Sequence, residues 1–298
     1  TASANISSSG AIVATSFTGD GAGLTNVGVD TKFQVFVTGS NATSGLTNTR
    51  MPATGSNTID NQPFSSILGG RTNNISGSST QGNSVIGGGE NNLILGSGES
   101  VIVGGNNNKI SGSAASAEYW NFIGGGQGNE IAYSGSVEGV HTCAGKYATI
   151  VGGSNNKVRG VYTFIGGGAA NAAGNTSVIA GGFKNYANGL YGSRAFIGGG
   201  QCNSASACNT VIAGGGCNEV LAQFSVIGGG LSNCIASTAS FSTVVGGYYN
   251  TGSQDYSFVG GGRQNAATAE YSSIIGGRCN TILSTHTGSF IAGQHITS

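Results

Sequence analysis

Charge and proline are what this sequence has least of. Of 298 residues, 11 are basic, 11 are acidic and 2 are proline. Such sparse, balanced charge argues against a nucleic-acid partner, because phosphate binding needs a basic surplus on at least one face. No run of about 18 apolar residues offers a helical membrane span, and the residues after Thr1 lack the charged-then-apolar order of a leader. The six cysteines, Cys143, Cys202, Cys208, Cys217, Cys234 and Cys279, are too dispersed for a disulfide scaffold and have no C-x-x-C spacing for zinc. The three histidines, His141, His286 and His295, stand far apart without a Ser or Cys partner at a useful offset.

Glycine is what the chain has in excess, 57 residues of it. There is no Gly-X-Y period for collagen, and the regular aliphatic doublets argue against disorder. One pattern recurs thirteen times, with Gly-Gly pairs starting between Gly69 and Gly276. Ile or Val stands two residues before each pair, and Asn stands four residues after each start. These asparagines are Asn73, Asn92, Asn108, Asn129, Asn156, Asn171, Asn185, Asn203, Asn218, Asn233, Asn250, Asn265 and Asn280. Successive starts are 14 to 27 residues apart, most often 15. Fifteen residues cannot hold the helix pair of the known helical repeats. They can hold two short strands and two turns, a closed path of about 50 Å at about 3.3 Å per residue.

The unit therefore predicts an all-β fold, a parallel β-roll or narrow β-solenoid of about 15-residue coils. Glycine suits the tight corners, and Asn, the other residue tolerant of the left-handed region, is expected there as a ladder of stacked amides. The residue before the Ile or Val is often apolar as well, as in Val85, Phe122, Phe164, Phe196 and Phe258. Neighbours in a strand face opposite ways, so one of the two stripes lies outside the coil and should not be left in water. That stripe, with so thin a core, predicts association between chains.

Residues 1–63 read as a base or neck with short strands at Ala11-Ile12-Val13 and Phe33-Gln34-Val35-Phe36-Val37, and residues 64–298 as the roll of 13 full coils and a partial one closing at Phe290-Ile291-Ala292-Gly293. The longest insertions precede Gly125 and Gly152. Insertions in a solenoid emerge on one edge, often the binding edge. Trp120, Tyr133, His141 and Tyr147 are the candidate receptor contacts there, with a host glycan or surface receptor as partner. No Lys-Ser or Lys-Thr follows the glycines as in a phosphate-binding loop. Neutral Asn replaces the Asp of calcium-binding repeats, and the acids are scattered rather than clustered for glycoside chemistry. The expectation is a non-enzymatic chain without metal or cofactor. Cys202 and Cys217 precede Asn in consecutive coils, within reach of a disulfide by Cα spacing, with free thiols the expected state.

The repeat Ser-Val-Ile-Gly-Gly-Gly-x-x-Asn-x-Ile, from Ser84 to Ile94 and from Ser225 to Ile235, resembles the head repeats of trimeric autotransporter adhesins. That resemblance implies a left-handed parallel roll and a parallel homotrimer. Residues 14–27, with Phe17-Thr18-Gly19-Asp20-Gly21-Ala22-Gly23-Leu24-Thr25-Asn26 at their centre, resemble a segment of bacteriophage tail fibres. Together they imply a virion fibre supporting attachment to a host surface, anchored through its N-terminal region to a virion or cell-surface protein. A bacterial trimeric adhesin head is the alternative.

Overall fold

A computed structural model describes residues 37–41, 46–50, 57–60, 62, 64–77, 82–112, 120–132, 146–188 and 194–298. The strand candidates at 11–13 and 33–36 lie outside the described residues, as do Tyr133, His141 and Cys143. Among the described residues there is no helix. The chain is a parallel β-solenoid of about 13 turns with coils of about 16 residues. Its strands form two sheets, a front sheet of 16 and a back sheet of 14. Pairing is parallel throughout, except in the hairpin of Val37–Asn41 with Leu46–Arg50 at one edge of the front sheet.

The coil from Phe224 to Ile235 explains the rest. Ser225 points inward, then Val226–Ile227 forms the front strand, with Val226 outward and Ile227 fully buried. Three glycines follow, and Leu231 makes a single parallel bridge to Gly216 and to Tyr248. This bridge recurs from coil to coil, so a third ladder one residue wide runs along the corner between the two sheets. Asn233 then turns inward, and Cys234–Ile235 forms the back strand with Ile235 buried. Strand alternation accounts for the inside and outside of each wall. In-register stacking puts Ile on Ile at each step, as in Ile212 against Ile227.

Two non-glycine residues per coil take the left-handed conformation, here Phe224 at φ 55° and Ser232 at φ 56°. The second corrects the expectation for asparagine. The residue before each ladder Asn occupies the left-handed region: Asn91, Ala170, Lys184, Cys202, Tyr249 and Gln264 all do so, and the ladder asparagines do not. A left-handed residue swings the chain inward, so that the next side chain enters the interior, where an amide is needed.

The glycine pair is asymmetric. At Gly215, φ is +89° and an added Cβ would lie 2.1 Å from the Gly230 carbonyl oxygen of the next coil. At Gly214 an added Cβ would meet nothing within 4 Å. Only the second glycine is demanded by both conformation and space.

Buried hydrophobic side chains are nearly all Ile, Val and Ala, so the core is one or two side chains thick. Between them runs the amide ladder. Asn218 Nδ2 donates to the carbonyl oxygens of Gly214 in its own coil and Gly230 in the next, both at 3.0 Å. Its Oδ1 accepts from the backbone N–H of Asn233 at 3.0 Å, and Asn233 Nδ2 approaches the same oxygen at 3.1 Å. Each rung therefore satisfies a buried backbone donor of the coil that follows, which an apolar side chain cannot do.

The ladder begins before Phe64. Asn57 is buried, its Oδ1 accepts from Asn73 N–H at 2.9 Å, and Thr58–Asp60 pairs in parallel with Asn74–Ser76. At the other end the closing coil is one residue short, and Ile296 stands where the next Asn would be. Its N–H donates to Asn280 Oδ1 at 3.0 Å, but it presents no amide onward.

Candidate functional site

The outward positions of the front sheet are the residues on either side of each inward Ile or Val. Fourteen coils from Ser66 to Ala292 contribute twenty-eight such positions. They hold Val, Phe, Leu, Ile, Ala and Gly, with Ser66, Thr149, Thr243 and Ser273 as the only polar side chains and no charge at all. Lys109, Glu130, Lys157, Arg159 and Glu219 lie on the back sheet instead, and Arg71, Glu90, Arg263 and Arg278 on the corner ladder. Val103, Val151, Phe196, Val245 and Ile275 on the front are exposed. About 65 Å of such coils, roughly 10 Å wide, makes an uncharged strip on the order of 600 Å², at or above the largest apolar patch of an ordinary monomer.

The strip has a two-coil period. After the inward residue stand Leu68, Gly87, Val103, Gly124, Val151, Gly166, Ala180, Gly198, Ala213, Gly228, Val245, Gly260 and Ile275 in turn, alternately a side chain and glycine. Phe122, Phe164, Phe196 and Phe258 stand two residues before glycines of this set. A Cβ added at Gly166 would lie 3.3 Å from the Phe164 ring and 2.2 Å from the Ala180 carbonyl oxygen. The rings thus lie over bare backbone. Bulk therefore alternates between the two columns from coil to coil, a relief suited to another surface rather than to water.

An aromatic column borders this strip at the left-handed corner before each front strand. Phe224, Phe241, Tyr256 and Tyr271 stack in succession, with ring centroids 5.0, 5.3 and 4.7 Å apart and planes within 8° of parallel. Tyr147 and Tyr162 form a second stack at 5.1 Å. All six have φ between 51° and 59°, a conformation costing bulky residues about 1–2 kcal/mol. Stacking at about 0.5–1.5 kcal/mol per pair offsets much of that cost. Desolvation, and then the adjacent Glu270 carboxylate, push the Tyr271 phenol above its usual range.

Trp120 and Tyr147 stand at corresponding positions of consecutive coils, two residues before the front strand, and both are exposed; Tyr147 is the left-handed one and stacks on Tyr162. The apolar stripe read from the sequence, Val85, Phe122, Phe164, Phe196 and Phe258 among it, is the front strip, with the inward and outward members now assigned. The aromatic column was missed because the members of each stack are separated by 15 to 17 residues with no common identity, Thr176, Arg194 and Asn209 standing between the two stacks. Its signal is positional, five residues before each glycine pair. Cys202, Cys208, Cys217, Cys234 and Cys279 are free thiols. Burial, followed by the Glu219 carboxylate, pushes the Cys234 thiol up. No protein-family model and no curated protein sequence matches the chain.

Proposed function

We propose that the chain is a structural segment of a virion fibre, in which three copies run in parallel with their front strips together and hold or support attachment to a host surface. The observation that carries this reading is the uncharged strip, which spans fourteen coils while every described charge lies elsewhere. Burying it between copies supplies the thickness that a core of single Ile and Ala side chains lacks. The trimeric count follows the likeness of the repeats to adhesin heads, and the virion setting follows the Phe17 to Asn26 segment. The same repeats favour a bacterial trimeric adhesin head as the second reading.

In this role the protein performs no turnover and needs no cofactor. Attachment falls to the insertions and to Trp120 and Tyr147 where the insertions rejoin the coils, along with Tyr133 and His141. The test is a particle or cell carrying a variant with residues 113–119 and 133–145 shortened. The proposal expects folded fibres that no longer attach. Unimpaired attachment would assign recognition to another protein and leave this chain a spacer.

A further inference from the structure

The back sheet carries one concavity that the fibre reading does not use. A cavity of about 150 Å³ is lined by Lys157, Arg159, Ala172, Ala173, Tyr186 and Asn188. Its origin is a single coil without bulk. Ala172 and Gly174 occupy the outward positions of that coil. The preceding coil presents Lys157 and Arg159 there, and the following one Tyr186 and Asn188. Two coil spacings separate the walls, roughly 10 Å, and the trough is floored by methyl groups and bare backbone.

The walls differ in chemistry. Arg159 lies between Ala132 and Gly174 in the ladder, so neither flanking coil offers it an acid. Lys157 pairs in register with Glu130, but that carboxylate already lies 3.5 Å from Lys109 Nζ. Across the trough the Asn188 amide donates to the Tyr186 phenol oxygen at 2.7 Å, which leaves the phenol proton free to donate. A Cβ at Gly174 would lie 2.0 Å from Asn188 Oδ1, so the missing side chain is what lets Asn188 fold over the floor.

We propose that this trough binds one carboxylate-bearing sugar unit of an acidic saccharide. Arg159, with Lys157 beside it, takes the carboxylate through charge-assisted bonds. The Tyr186 ring packs on the sugar, while its hydroxyl and the Asn188 amide take ring hydroxyls. A cavity of this size holds one six-membered ring. The site is on the sheet opposite the apolar strip, so it is open in a single chain and in an association through the front face alike, and it stands without the fibre reading.

The experiment titrates the full chain by calorimetry and saturation-transfer NMR with a glucuronic acid tetrasaccharide, its methyl ester, a glucose tetrasaccharide and inorganic phosphate. The acid is expected to bind, with ester and neutral sugar weaker by about tenfold or more and affinity falling with salt. Lys157→Ala with Arg159→Ala should lose binding about tenfold or more, and Tyr186→Ala should weaken the saccharide but leave phosphate unchanged. Ala172→Leu fills the floor without removing a polar group, and should abolish binding; it also serves if the double variant does not fold. Equal binding of acid and ester, phosphate as tight as the saccharide, unchanged affinity in the folded variants, or no binding at about 10 mM would each overturn the proposal.

Discussion

Replacing Asn218 and Asn233 by Leu keeps the side-chain size and branching and removes the amides. The structure says which groups are stranded. The N–H of residue 233 loses Asn218 Oδ1, and the N–H of Asn250 loses Asn233 Oδ1, bonds of 3.0 Å in a fully buried interior. The Gly214, Gly229, Gly230 and Gly247 carbonyls lose their amide donors as well, but these bonds are only partly buried and water can replace some of the loss. Each stranded buried donor costs about 1–3 kcal/mol, so the pair should destabilise by roughly 2–6 kcal/mol.

Asn218→Asp sharpens the test. A neutral carboxyl can still accept from the N–H of Asn233 and donate to one glycine carbonyl. An ionised one is buried against the carbonyls of Gly214 and Gly230. Its folded pKa must therefore rise above the unfolded value of about 3.9. The folded state then holds the proton where the unfolded state has released it, so stability falls as pH rises above about 4, until the folded group itself ionises. Urea melts and hydrogen exchange at pH 4 and pH 7 should show this variant near the parent at the lower pH and clearly weaker at the higher. Because coils touch only their neighbours, exchange should quicken most near Gly214 to Asn250. A double Leu variant with unchanged melting, or an Asp variant with the parent's pH profile, would refute the ladder's energetic role.

Gly215→Ala should cost about 3 kcal/mol or more by urea unfolding, and Gly214→Ala beside it under about 1 kcal/mol, because only the former combines φ +89° with a 2.1 Å obstruction. Tyr256, at φ 57° between two stacked rings, should tolerate Gly better than Ala by about 1 kcal/mol, the reverse of a normal strand position, as read from paired melts. At neutral pH Cys234 should alkylate more slowly than exposed Cys217 in a mass-resolved time course, since burial and Glu219 disfavour its thiolate.

The coil was legible because glycine, asparagine and the inward Ile or Val are each imposed by one feature of it, and those features recur at fixed offsets. What stayed hidden was set by neighbouring coils rather than by any one repeat. The left-handed residue before each Asn varies from Lys184 to Tyr249, since its side chain points outward and only its backbone matters. The alternation of glycine with Leu68, Val103, Val151, Val245 and Ile275 has a period of two coils, which averages away when single repeats are compared. Asn57 was overlooked because no glycine pair precedes it, although its amide works as the others do. The trough needs three successive coils to be seen together, and a linear reading finds there only two scattered cations and a tyrosine.

Sedimentation equilibrium of the full chain tests the central claim most directly. Association of three copies through the front strip predicts a species of about 88 kDa, three times the 29.3 kDa chain, and its loss when Val151 and Phe164 are replaced by Lys. A folded, stable 29.3 kDa monomer with the strip intact would contradict it.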